Sequence, residues 1–148
     1  MGGIAEGMSA IAYRSGYEYQ LAEDYSVQLD FAPPKSIKTD FIKFNKIGVL
    51  TLLAGYAWDG PSGPSIATAN FMRGSLVHDA LYQLMRERKL PQSRREDADR
   101  ALQRICIEDG MSRIRAWWVY TGVRMGGGPS ADPVNDKPIL WAPTEKTT

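Results

Sequence analysis

A single cysteine, Cys106, in 148 residues leaves no intrachain disulfide framework and no cysteine-based zinc cluster. A reducing compartment is then the default expectation. Net charge is also nearly missing: 18 Lys and Arg stand against 17 Asp and Glu, for a formal +1. That offers no global electrostatic reason to bind nucleic acid or an anionic membrane, although local patches stay open. No uninterrupted apolar run reaches the roughly 18 residues of a membrane-spanning helix. The segment from Met1 to Met8 lacks the basic and apolar regions of a signal peptide. No serine sits in a Gly-x-Ser-x-Gly elbow, which argues against a serine hydrolase. There is no internal repeat and no low-complexity tract. Histidine occurs once, as His78, so any imidazole chemistry rests on that residue.

What is present suits one globular domain: 43% hydrophobic and 24% charged residues. The first third reads as β-structure. Tyr17–Leu21 and Tyr25–Phe31 alternate apolar and polar side chains, with Ala22-Glu23-Asp24 as a hairpin-length connection. Pro33-Pro34 closes the second run, since proline cannot donate to a ladder. A second hairpin is expected from Phe41–Phe44 and Val49–Leu52 around the turn residues Asn45–Gly48. Helices are expected over Ser75–Glu87, over Ser93–Glu108 with Ser93 and Glu96 as a capping box, and over Met111–Arg124. Asp109-Gly110 ends the second, and Gly126–Pro129 stops the third. The resulting architecture is α+β: antiparallel hairpins, then an antiparallel helix pair and a third helix, all within residues 1–125. Residues 126–148 read as an extended tail, with Pro138–Trp141 as a docking segment inside it.

Two features could carry chemistry. Gly55–Pro64 holds three glycines and two prolines in ten positions, so it is neither a helix interior nor a good central strand. His78-Asp79-x-x-Tyr82 follows on the first helix. At about 100° per residue, Tyr82 sits one turn above His78, and His78 borders the stripe of Val77, Leu81, Leu84 and Met85. His78 should therefore be half-buried, with Asp79 pointing nearly away from the stripe. Asp99 lies at the edge of the second helix's apolar stripe, with Asp97 further toward solvent. Antiparallel packing of the two helices would let Asp99 face His78, fix its tautomer and leave the other ring nitrogen free as a base. A carboxylate at Asp79 beside a loop of turned carbonyls suits a hard cation such as calcium.

This order of features resembles the active-site region of the phospholipase A(2) superfamily, over roughly residues 55–106. The resemblance implies that His78 is the general base, that Asp99 orients it and that Tyr82 supports the aspartates. It further implies that Asp79, with backbone carbonyls near Trp58, Gly60 and Ser62, holds calcium. A wider likeness rests on Gly55-Tyr56-x-Trp58-Asp59-Gly60-Pro61-Ser62-Gly63-Pro64 and on Arg73–Tyr82. It covers about residues 15–125 and is to a family of small tailed-bacteriophage and prophage proteins of unassigned function. It implies a viral context, in the bacterial cytoplasm during infection or in the virion, and no particular activity.

The expected function is then a lipid esterase using a His/Asp-activated water, with calcium as cofactor and a lipid or other ester as substrate. The alternative is a non-enzymatic virion or assembly protein that keeps the helices as a scaffold and contacts other phage proteins. A small-ligand binder using the same pocket is a third reading. Blander readings apply to single residues. His78 and Tyr82 could simply pack and cap, and Asp99 could pair with Arg94, Arg95 or Arg100. Trp117-Trp118 reads as core plus surface anchor, the basic rim of Arg86, Arg88, Lys89, Arg94 and Arg95 as solvated, and Cys106 as inert packing.

Overall fold

The computed structural model describes residues 11–13, 19–59, 68–135 and 140–142. The architecture is α+β. The strands are β1 (Ile11–Tyr13), β2 (Tyr19–Gln20), β3 (Tyr25–Gln28), β4 (Ile37–Lys38), β5 (Ile42–Phe44), β6 (Val49–Leu52), β7 (Ala57–Trp58) and β8 (Leu140–Ala142). The helices are α1 (Ala69–Arg86), α2 (Arg95–Glu108), α3 (Arg113–Gly126) and the single turn α4 (Gly128–Ala131).

The hairpin expected around Asn45–Gly48 forms: β5 and β6 pair with Phe44 opposite Leu50. The Asn45 side chain accepts from the backbone N–H of Ile47 at 3.1 Å and Val49 at 2.9 Å, which pins the turn. Gly48 sits at φ 87°, and a methyl there would meet Gln28 Nε2 at 2.8 Å and Phe31 O at 2.9 Å. Only glycine fits both demands.

The first expected hairpin does not form. β3 pairs with β6, not with β2, giving a four-stranded antiparallel sheet in the order β3-β6-β5-β4. β2 instead pairs with β7, at the start of the Gly/Pro segment, with Tyr19 opposite Trp58. Tyr17 and Glu18 lie outside the described residues. The link between β2 and β3 is held by long-range bonds: the Asp24 carboxylate accepts from Ala54 N–H at 2.7 Å, and Leu21 N–H donates to Tyr56 O at 2.7 Å.

One face of the sheet is buried. Ile42 and Phe44 on β5 alternate with exposed Lys43, and Leu50 and Leu52 on β6 alternate with half-buried neighbours. They share a core with Leu76, Val77, Ala80, Leu81 and Leu84 of α1. α1 starts at Ala69, six residues before its pattern predicts, and those six bury only Phe71 and Gly74. From Ser75 on it is buried around most of its circumference, so it carries little amphipathic signal.

α1 and α2 are antiparallel, as expected. Gly74 near the start of α1 lies against Cys106 and Leu102 near the end of α2. Arg73 reaches across to Asp109 with Nη2 at 2.9 Å and Nε at 3.0 Å. Ser93 does not cap α2. Gln92–Arg94 form a 3-10 turn, and Glu96 turns instead to Arg100 and Tyr120. The end of α2 matches expectation: Gly110 at φ 100° lets Met111 N–H reach Cys106 O and Gly110 N–H reach Ile107 O, a Schellman close. Ser112 caps α3 by accepting from Arg115 N–H at 3.1 Å.

The segment after Gly126 is not extended throughout. α4 returns to α1, where Arg86 donates to Ser130 O at 2.8 Å and Gln92 donates to Ala131 O. Within the expected docking segment, Pro138 and Ile139 lie outside the described residues, whereas Leu140–Ala142 form β8 and pair with β1. No helix among the described residues is long and apolar enough to cross a membrane.

Candidate functional site

Helix geometry places His78 and Tyr82 on one side of α1, one turn apart, and their rings sit 4.1 Å centroid to centroid. The antiparallel crossing brings Asp99 of α2 between them. His78 Nε2 is 2.7 Å from Asp99 Oδ1, and the Tyr82 hydroxyl donates to the same oxygen at 2.6 Å. Asp99 is fully buried and His78 nearly so, at 7% exposed. Both are deeper than the boundary positions their stripes predict.

α3 supplies a residue that the spacing did not indicate. Arg124 Nη1 donates to Asp99 Oδ2 at 2.9 Å. Arg124 is placed by Arg95, whose guanidinium donates to Arg124 O at 2.9 Å and to Val123 O, closing the carbonyl end of α3. So Asp99 pairs with neither Arg94 nor Arg100. Arg94 pairs with Asp97 at 2.9 Å, and Arg100 with Glu96 at 2.8 Å. The pairing of Arg124 with Asp99 links the end of one helix to the middle of another, and no local pattern encodes it.

The electrostatics follow from this geometry. Burial alone would push the Asp99 carboxyl up, but hydrogen bonds from His78, Tyr82 and Arg124 outweigh it and hold the pKa below its usual value. Burial and the hydrogen bond to Asp99 push the Tyr82 phenol well up, so it stays a proton donor. Burial disfavours the His78 imidazolium, yet the carboxylates of Asp79 and Asp99 prevail and raise its pKa above 6.5. An ionised Asp99 can only accept, so Nε2 carries the proton and Nδ1 is left as the basic nitrogen of the neutral ring. Nδ1 is 4.0 Å from Asp79 Oδ1, too far for a direct hydrogen bond but close for a charge.

His78, Asp79 and Tyr82 open onto a cleft of about 930 Å³ between α1, α3 and β7. Its walls are largely aromatic and aliphatic, including Tyr56, Trp58, Phe71, Leu102, Trp118 and Val119. The α3 wall was not anticipated, since its tryptophans read as core and anchor. Trp118 both lines the cleft and is 65% exposed.

Residues 35–123 match the model of a family described as a protein of unknown function, DUF1353. That span is more than half of the 148 residues. The chain belongs to the DUF1353 family. No curated protein and no solved structure matches it. His78, Asp79, Tyr82 and Asp99 all lie inside the DUF1353 span, and Arg124 is the first residue beyond it.

The expected cation ligands of this DUF1353 chain are only partly placed. Asp79 is on the cleft wall with its side chain one-third exposed. Trp58 is in β7 with its indole donating to Ser75 Oγ at 3.3 Å. Gly60 and Ser62 lie outside the described residues. Among the described residues no group of three or more His, Cys, Asp or Glu comes together to hold a metal.

Proposed function

We propose that this protein is a hydrolase of carboxylic esters, of the phospholipase A(2)-like kind, in which His78 activates water. The observation that carries the reading is the 2.7 Å contact of His78 Nε2 with buried Asp99, at the wall of a cleft lined by apolar side chains. With Nε2 committed to Asp99, Nδ1 takes a proton from water as the oxygen attacks the ester carbonyl. The tetrahedral intermediate collapses, and the imidazolium returns that proton to the departing alkoxide. Asp99 stabilises the imidazolium in between, and Tyr82 and Arg124 hold Asp99 in place. The aromatic and aliphatic walls favour an acyl chain, hence a lipid ester.

Calcium is part of the proposal as a ligand of Asp79 and of backbone carbonyls at Trp58, Gly60 and Ser62. When bound it would polarise the ester carbonyl. Calorimetric titration with calcium chloride, compared between wild type and Asp79→Asn, tests it separately. The viral context is also proposed, supported by the likeness to phage and prophage proteins.

A second reading is favoured by one observation: both Asp99 oxygens already have donors from three side chains. A fully paired cluster of that kind also serves as a rigid scaffold in a non-enzymatic virion or assembly protein. Hydrolysis of phosphatidylglycerol with calcium present decides between them. Wild-type turnover abolished by His78→Gln supports the esterase, and a folded wild type without turnover sinks it.

A further inference from the structure

α3 carries an apolar face that nothing in the described structure covers. Ile114 is 74% exposed, Trp117 52%, Trp118 65% and Met125 84%. At about 100° per residue, Ile114, Trp118 and Met125 fall within about 40° of one line along the helix, with Trp117 at its edge. Trp117 and Trp118 touch each other edge to face, with centroids 5.3 Å apart. Two large indoles held in the open are costly on a surface meant for water alone.

The charges carried by α3 itself have one sign. α3 contains Arg113, Arg115 and Arg124 and no Asp or Glu. Arg124 is committed to Asp99, and Arg115 turns inward to Asn70 Oδ1 at 3.4 Å, so the exposed Arg113 is the arginine left beside the apolar line. An apolar ridge with indoles and a flanking arginine is the composition of a helix that lies in an anionic lipid interface. A second copy of the chain is a poorer occupant, because its α3 would offer the same arginines and no carboxylate to meet them.

We infer that α3 is a docking surface for an anionic lipid bilayer, seating Trp117 and Trp118 at headgroup depth with Arg113 on a lipid phosphate. Trp118 also lines the cleft, so a docked bilayer lies against the mouth leading to His78. The inference deepens the proposed esterase function by naming where the substrate is presented, yet binding can be measured without hydrolysis.

The test is co-sedimentation of the full chain with vesicles of ether-linked phosphatidylglycerol or ether-linked phosphatidylcholine, which contain no ester to cleave. Binding to the anionic vesicles is expected, with a blue shift of tryptophan emission and about a fivefold preference over phosphatidylcholine. A Trp117→Ser, Trp118→Ser double variant should lose at least tenfold in partitioning while keeping its circular dichroism and melting temperature. Arg113→Glu should lose about fivefold on phosphatidylglycerol only. No binding to either vesicle, or unchanged binding by the double variant, overturns the inference. So does a concentration-dependent dimer that the double variant abolishes. His78→Gln should bind like wild type, so vesicle binding without esterase activity would remove the proposed function and leave the docking surface standing.

Discussion

Replacing Asp99 with asparagine removes one charge while keeping shape, and its consequences can be worked out in sign and size. Three donors converge on a carboxylate that is 0% exposed, while Arg124 retains about a third of its side-chain surface in water. Breaking a buried pair by neutralising one partner costs about 3–5 kcal/mol. Partial hydration of Arg124 lowers that, so Asp99→Asn should lose about 2–4 kcal/mol at pH 6 by urea denaturation. His78 reports the same change locally, because as the only histidine its ring nitrogens are identified in a nitrogen-15 NMR titration without assignment. In the wild type its pKa lies above 6.5, raised by Asp79 and Asp99 against burial. The variant keeps the burial, loses one carboxylate and leaves Arg124 unneutralised nearby, so the His78 pKa should fall. A raised folded-state pKa contributes stability fully present below the unfolded value near 6.5 and lost as pH rises through the folded value. The gap between wild type and Asp99→Asn should therefore be wider at pH 6 than at pH 9. A His78 pKa unchanged or higher in the variant, or a stability loss under about 1 kcal/mol, would refute this account of the cluster.

Other expectations concern the frame that holds the cluster. Arg88 ends α1 at φ 60° on an exposed position, so Arg88→Gly should raise stability by about 1 kcal/mol in the same denaturation assay. Gly74→Ala would set a methyl 2.9 Å from Cys106 Sγ and 3.0 Å from Leu102 Cδ1. It should cost about 1 kcal/mol net despite better helix propensity, and Cys106→Ala should recover part of that in a double-mutant cycle. Burial, with help from Asp109, pushes the Cys106 thiol up to about 11, so a thiol reagent at pH 8 should label it only after denaturant unfolds the chain.

What the sequence makes legible is what its short-range patterns encode. The β5–β6 hairpin is readable because its turn chemistry, Asn45 and Gly48, lies between the two strands that pair. The helix pair is readable because a short link forces adjacent helices to run antiparallel, and His78 and Asp99 then meet in the middle. The strand partners of β2 and β3 are not readable: both reach past nearer strands, and alternation says which face is buried, not which neighbour is bonded. The start of α1 is hidden because its first six residues bury only Phe71 and Gly74, too few to mark a stripe, and Gly74 itself has low helix propensity. Ser93 and Glu96 match a capping box, but the 3-10 turn at Gln92–Arg94 puts Ser93 one position too early.

Arg124 is the omission with most bearing on function. With only Asp79 and Asp99 beside His78, the neutral ring would face two negative charges and bind a proton strongly. Arg124 donates to Asp99 Oδ2 while His78 Nε2 meets Oδ1, so His78 does not hold that carboxylate alone. Asp79 is then the less compensated carboxylate near the ring, on the Nδ1 side and facing the cleft. The asymmetry between the two ring nitrogens, one bonded to a buried carboxylate and one 4.0 Å from a carboxylate on the cleft wall, is the physical basis of the proposal that His78 is reactive.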